Sequence, residues 1–458
     1  MKASNMNVIL ITLDDVRADH LSCCGYHLPT TPVLDKLAKS GLLFRQAISN
    51  GPNTWSSFPS IMTSTYPLLY GGYARLEPPR KTIAEVLQLH GFLTAAFLSN
   101  SYLLDTPGYE CGFKVFEDAF TSVRRGESKN VSRFSQIRRK ALGVQRAVSR
   151  KFFPKFTDFK CSAECTNRRA LMFIRKELTS RNPFFLWLHY LDVHYPLIPP
   201  KEYLESFLDN EFSLPEILSF NRRVSEHGVD SDRDLKKLCA LYDASLYYLD
   251  TQLGLFIEQL DKLGILQNTL FVITSDHGEK LGERDGRIGH PPQVYEELIR
   301  VPLIISGPSI KPREVKHLVS NLDIAPTIID YLDLSNEPAF EGRTLFTSGH
   351  TGDAGDLDGY YIGSAHKNAF VYELTKRCVG YRTERWKYIC DDFTGQLELY
   401  DLSSDPKETT NLVDSGLSVK KELQDKISQH CAKIDLVSSY EANFDNKVMN
   451  RLRELGYL

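Results

Sequence analysis

Residues 7–15 read NVILITLDD, and residues 270–278 read LFVITSDHG. Each is a short, β-branched apolar run that breaks directly into polar residues: Asp14 and Asp15 after the first, Asp276 and His277 after the second. Apolar runs of this length suit strands buried on both faces, as in a parallel sheet covered by helices. LTAAFL (93–98), FFLWLH (184–189) and VPLIIS (301–306) have the same character. Between the runs lie stretches with apolar residues at helical spacing, such as TPVLDKLAKSGLLF (31–44) and LYDASLYYLDTQLGLFIEQLDKLG (241–264). Strands alternating with helices predict an α/β fold, a mainly parallel sheet flanked by helices, over residues 1–340. From about residue 341 the pattern changes, and VYELTKRCVGYRTERWKYICDDFTGQLELYDL (371–402) predicts consecutive short strands. A smaller antiparallel α+β domain is therefore expected over 341–458, with a helical tail.

The 458 residues are 42% hydrophobic, enough for one large domain and a smaller one. The net charge of −3 gives no overall attraction to nucleic acid, so none is expected as a partner. The apolar run near the N-terminus is too short for a signal sequence or a membrane span. Nine scattered cysteines suit a reducing compartment, so a cytoplasmic location is expected. One segment departs from the even charge: residues 123–169 are rich in Lys and Arg. Two readings stand, a solvated insertion or a cationic rim that attracts an anionic substrate or partner.

Ligands of open parallel sheets bind beyond the carboxyl ends of the strands. The segment after the run 184–189 adds Asp192 and His194 to that edge. Paired carboxylates at one strand end raise each other's pKa unless a cation neutralises them. Asp14, Asp15, Asp276 and His277 therefore point to a divalent metal site, in preference to separate helix caps.

NTWSSFPSIMTS (53–64) supplies a hydroxyl for the same edge. Pro59 and Ser60 suit a first helical turn, so a helix is expected to start near Ser57. There the helix dipole and a metal would lower the hydroxyl's pKa. Ser56 competes with Ser57 on spacing.

The motifs in series resemble the sulfatase family of the alkaline phosphatase superfamily. ILITLDDVRADHLSCCGYHLPTTPVLDKLAKSGLLFRQAIS is similar to the family's opening metal motif. FLWLHYLDVHYPLIPP, ITSDHGEKLGE, GHPPQVYEELIRVPLIIS, LVSNLDIAPTIIDYL, RTERWKYI, LELYDLSSDPKETTNL and RLRELGYL resemble its later landmarks. The resemblance implies an alkaline phosphatase-like fold and a metal held by Asp14, Asp15, Asp276, His277 and the nucleophile. It places Ser57 at the nucleophile, the first residue of the family's C/S-x-P-S-R motif. It gives His194 and His290 to the substrate's anionic head or to leaving-group protonation.

Two departures bear on the chemistry. Ile61 stands where the family motif has arginine, and Ser99, Asn100 and Ser101 replace a segment that usually supplies lysine and histidine. Asn100 remains as a hydrogen-bond donor to substrate. The expected activity is metal-dependent hydrolysis of a sulfuric ester or related phosphate-type ester, with an anionic, glycan-linked substrate in view. The alternative is a phosphodiesterase or phosphonate monoester hydrolase using unmodified Ser57; a third reading is an inactive binding protein. Calcium suits the carboxylate-rich site best, and His277 also permits manganese or zinc. One ion is expected; His20, His189 and Asp323 are the residues available for a second.

Overall fold

The computed structural model describes residues 6–70, 75–76, 78–119, 163–177, 182–208, 212–335, 337–346, 359–368 and 371–435. Its main sheet has eight strands, numbered in chain order. Across the sheet they run β10 (Arg313–Ser320), β2 (Leu42–Ile48), β9 (Arg300–Ser306), β6 (Thr269–Ser275), β1 (Asn7–Leu13), β5 (Phe184–Tyr190), β3 (Leu93–Leu98) and β4 (Val115–Asp118). β1 lies between β5 and β6 and is parallel to both. β9 alone runs antiparallel to its neighbours β2 and β6. The sheet is thus mainly parallel, as its apolar runs imply.

All seven residues of β1 are buried, and their alternation sorts them between two layers. Val8 and Leu10 join one core with Phe185, Trp187, Leu270 and Val272. Ile9, Ile11 and Leu13 join the other with Leu186, Leu188, Phe271 and Ile273. Helices cover both faces, among them the 31-residue helix Asp232–Lys262. Asp250 on that helix accepts from the backbone N–H groups of Val33 and Leu34, at 2.8 and 2.9 Å, and so fixes the start of α1 (Pro32–Ser40).

The stretch TPVLDKLAKSGLLF is not one helix. α1 ends at Ser40, and LLF opens β2. A Cβ on Gly41 would stand 2.3 Å from the Ile305 carbonyl oxygen, so glycine permits the close passage from helix to strand beside β9.

A second, antiparallel sheet runs β11 (Tyr360–Asn368), β12 (Val371–Arg382), β13 (Trp386–Asp391) and β14 (Gln396–Asp401). β7 (Lys280–Leu281) and β8 (Ile288–Gly289) form a separate short hairpin. The helix Val419–Asp435 packs on β12 and β13. The two sheets are tied at the loop before the helix α2 (Thr54–Thr63), where Asn50 donates to the Tyr361 carbonyl and accepts from the Gly363 N–H, each at 3.0 Å.

Most of the basic segment, residues 123–162, and the final RLRELGYL lie outside the described residues. Arg169, at the end of the basic segment, ion-pairs with Glu117 beside the sheet edge.

Candidate active site

The carboxyl ends of β1, β5 and β6 are held in register by their own backbone. Asp14 N–H donates to the Tyr190 carbonyl at 2.9 Å, and Asp276 N–H donates to the Leu13 carbonyl at 3.2 Å. The Ser275 hydroxyl donates to the Leu13 carbonyl at 2.6 Å and accepts from Val16 N–H at 2.9 Å. Asp15 sits at φ 63°, a left-handed conformation that ordinarily costs a side-chain-bearing residue about 1 kcal/mol. The Tyr242 hydroxyl holds it there, donating to the Asp15 carbonyl at 2.6 Å. Gly278 completes the turn after β6, since a Cβ there would stand 2.2 Å from the Glu297 carbonyl oxygen.

Asp14, Asp15, Asp276 and His277 are thereby brought together, with His194 and His290 beside them. Three overlapping sets, Asp14/Asp276/His277, Asp14/Asp15/His194 and Asp15/His277/His290, each have potential ligand atoms within 4.8 Å of one another. Nε2 of His277 faces Asp14 Oδ1 at 3.7 Å and Asp276 Oδ2 at 3.5 Å. His194 Nε2 lies 3.8 Å from Asp15 Oδ2, and its ring meets that of His290 edge-on at 5.4 Å.

The charge balance of this cluster calls for a cation. Asp14 Oδ1 and Asp276 Oδ2 are buried and accept no hydrogen bond, and the buried Asp15 carboxylate faces imidazole nitrogens of His277, His290 and His194 at 3.1, 3.3 and 3.8 Å. Burial pushes Asp276 up to about 7, and the charge of Asp14 adds to it. Burial draws the His277 imidazolium down, but Asp276 and Asp15 overcome it and carry His277 up to about 9. Burial opposes ionisation of Asp15 too, yet His194 and His290 hold it well below the carboxylate range. A divalent ion supplies the positive charge that imidazolium protons otherwise provide, and oxygen-rich ligands with one histidine fit such an ion.

Surrounding groups orient the ligands. Trp187 Nε1–H donates to the Thr12 hydroxyl at 2.9 Å, and that hydroxyl stands 2.9 Å from His189 Nδ1. This chain leaves His189 Nε2 to donate to Asp14 Oδ2, 3.1 Å away. Asn100, expected to face substrate, donates instead to Asp14 Oδ2 at 3.0 Å, while its Oδ1 accepts from Tyr102 N–H at 3.0 Å. Of the residues considered for a second ion, only His189 reaches the cluster. His20 is paired with Asp243 at 2.7 Å, and Asp323 is engaged by Tyr360.

Ser57 is a second expected residue that the structure places differently. α2 starts at Thr54, not near Ser57, because Asn53 is its cap: the Asn53 side chain accepts from Ser56 N–H at 3.1 Å. Ser57 then falls one turn into the helix, and its hydroxyl donates to the Asn53 carbonyl at 2.9 Å. The hydroxyl beside the cluster belongs to Thr54, whose Oγ1 is 3.3 Å from His277 Nε2. Glu279 also went unread in the sequence, though it follows the DHG triplet directly; its Oε2 lies 3.0 Å from His290 Nδ1.

Comparison with known proteins assigns the chain to a family. The sulfatase family model matches residues 6–334, and a model of the C-terminal region of N-sulphoglucosamine sulphohydrolase matches 291–434. An arylsulfatase of Clostridium perfringens is 27% identical, the match covering 89% of this chain and 90% of that protein. Arylsulfatase K of Mus musculus is 24% identical, covering 92% of this chain and 78% of that protein. A solved structure of a protein in complex with its substrate D-glucosamine-2-N,6-O-disulfate superposes with a TM-score of 0.72 at 19% identity, covering 94% of this chain and 98% of the other. The phosphonate monoester hydrolase of Agrobacterium radiobacter gives 0.72 at 22% identity, covering 94% and 96%. With one family model spanning the whole main sheet and its strand-end ligand cluster, the chain belongs to the sulfatase family.

Proposed function

We propose that the protein is a divalent-metal-dependent ester hydrolase that cleaves a sulfuric ester or related phosphate-type ester of an anionic, glycan-linked substrate. The observation that carries this reading is the gathering of three buried carboxylates, Asp14, Asp15 and Asp276, beside a hydroxyl at a helix start, with Asp14 Oδ1 and Asp276 Oδ2 accepting no hydrogen bond. Arylsulfatase relatives and a neighbour holding a disulfated glucosamine support the sulfuric ester and the glycan. The phosphonate monoester hydrolase neighbour supports the phosphate-type alternative.

Asp14, Asp15, Asp276 and His277 hold the ion, and calcium is the choice that best suits three carboxylates, with manganese or zinc permitted by the imidazole. When bound, the ion lowers the pKa of the attacking hydroxyl and neutralises charge on the transferred group. His194 and His290 flank the position of the anionic head. Glu279 occupies Nδ1 of His290, which leaves Nε2 as the atom that protonates the leaving oxygen. A cytoplasmic location belongs to the same proposal and is supported by the eight free cysteines among the described residues; fractionation against a cytoplasmic marker tests it. No described helix is long and apolar enough to cross a membrane.

The test is a chelator-stripped sample, reloaded with calcium, manganese or zinc and assayed on 4-nitrophenyl sulfate, bis(4-nitrophenyl) phosphate and a phenylphosphonate ester. Metal-dependent release of nitrophenol from at least one is expected. Failure to bind any divalent cation, with no turnover of any ester, would leave a binding protein as the better reading.

A further inference from the structure

Three hydroxyls cluster at the start of α2, and two of them are spent on the helix itself. The Ser56 hydroxyl donates to Asn53 Oδ1 at 2.9 Å. The Ser57 hydroxyl donates to the Asn53 carbonyl at 2.9 Å and approaches the Thr54 carbonyl at 3.4 Å. Neither makes a hydrogen bond to the ligand cluster. Thr54, the first residue of the helix, is buried and directs Oγ1 at His277 Nε2, 3.3 Å away. That nitrogen is the one facing Asp14 Oδ1 and Asp276 Oδ2, because Nδ1 is turned to the Gly278 carbonyl at 2.9 Å. The Thr54 hydroxyl therefore lies at the same His277 nitrogen that Asp14 Oδ1 and Asp276 Oδ2 face, and those two oxygens accept no hydrogen bond.

We propose that Thr54, used unmodified, is the nucleophile, and that the substrate is consequently a phosphodiester or a phosphonate monoester. The inference rests on the hydrolase reading above and deepens it. A formylglycine needs a Cβ that can become an aldehyde. The Cβ of threonine carries a methyl group, so oxidation there would give a ketone, and the hydrated aldehyde that expels sulfate by deprotonating its second hydroxyl cannot form. An ester formed on Thr54 has to be opened by water at the transferred atom. Phosphorus accepts such a second in-line attack far more readily than the sulfur of an alkyl sulfate. A phosphodiester or phosphonate monoester also carries the single negative charge of a sulfate ester. That charge suits a site in which Asn100, flanked by Ser99 and Ser101, is already committed to Asp14.

In the first half-reaction Thr54 Oγ1 loses its proton to solvent and forms a bond to phosphorus as the bond to the leaving oxygen breaks. The leaving alkoxide takes a proton from His290 Nε2. In the second, water attacks phosphorus and returns a proton to His290 while the bond to Oγ1 breaks. Oγ1 then regains a proton from solvent, so the net change is addition of one water across the ester.

The test is acid-quenched peptide mass analysis of full-length protein turning over bis(4-nitrophenyl) phosphate or a 4-nitrophenyl phenylphosphonate, run beside T54A, T54S and S57A. The expected result is an unmodified Thr54 in resting protein and a phosphoryl or phosphonyl adduct on Thr54 during turnover. T54A should lose the adduct and about a thousandfold or more in kcat while binding metal as the native protein does. T54S should recover most of the rate, and S57A should keep the adduct. An adduct on Ser57 or Ser56, or loss of two hydrogens at Ser57, would overturn the assignment of Thr54 and leave the hydrolase reading standing. Turnover of sulfate esters alone would overturn the substrate class in the same way. Turnover of no ester would overturn both.

Discussion

Nδ1 of His290 lies 3.0 Å from Oε2 of Glu279, and the same nitrogen is 3.3 Å from Asp15 Oδ1. The pair couples the rim of the site to the Asp15 carboxylate. Burial pushes Glu279 up to about 7, and the charge of Asp15 adds to it. Glu279 thus engages Nδ1 of His290 and leaves Nε2 for the proposed proton transfer. Replacing it by glutamine keeps an acceptor of similar shape but removes the charge. E279Q is expected to lower kcat about 10- to 100-fold, with metal content unchanged. Steady-state kinetics beside elemental analysis check this; a kcat equal to native would show that His290 needs no such partner.

Lys387, on β13, ties the second sheet to the helical turn Glu296–Ile299 that precedes β9. It is buried, with Nζ 2.7 Å from Glu408 Oε1 and 3.2 Å from Glu296 Oε1. Burial opposes ionisation of Glu296, but Lys387 and Arg382 overcome it and hold the group down to about 2. A depressed carboxylate stabilises the fold above its unfolded value of about 4.5, and that contribution disappears as pH falls toward the folded value. K387M would leave two buried carboxylates with only their longer ion pairs, Glu296 with Arg382 at 3.6 Å and Glu408 with Arg284 at 3.3 Å, and is expected to cost about 3 kcal/mol near neutral pH. Urea unfolding of the two proteins at neutral pH measures it, and equal midpoints would mean that the pair is not integral to the interface.

His430 gives the acid limb of stability a second source. Its ring stacks on Tyr361 at 4.0 Å with 7° between planes. Burial, with help from Lys433 and Arg377, pulls it down to about 3. For a base, a depressed folded value means that the unfolded chain takes up the proton first. Stability is therefore lost as pH falls below about 6.5 and on toward the folded value. H430F retains the stacking and has no proton to take up. Its melting temperature is expected to fall less between about pH 7 and pH 4 than that of the native protein; parallel slopes would assign the acid sensitivity elsewhere.

The sheet and the meeting of Asp14, Asp15, Asp276 and His277 were readable because each strand that leads to them is a continuous apolar run ending in charge. Parallel pairing of β1 with β6 aligns Leu13 with Ser275, so the acids that follow both runs must meet. The direction of β9 was not readable, because VPLIIS looks the same run either way. β2 was hidden inside a helical-looking stretch whose boundary depends on Gly41 meeting Ile305 across the sheet, a contact no local pattern encodes. The start of α2 was misplaced by about one helical turn. The Phe-Pro-Ser spacing drew attention to Ser57, whereas the start of α2 is decided by Asn53, a stronger cap than the residues around it. Asn100 was correctly brought to the site, but its donor is turned to Asp14 by the cap it makes for the following turn.

Asp14, Asp15, Asp276 and His277 acting together on one divalent ion is the central claim, and metal stoichiometry tests it most directly. Native protein and D276A, each stripped with chelator and dialysed against calcium, manganese or zinc, would be analysed for bound metal and for ester turnover. The account predicts one tightly bound ion per native chain, and loss of both the ion and turnover in D276A. Turnover that survives in D276A without bound metal would contradict it.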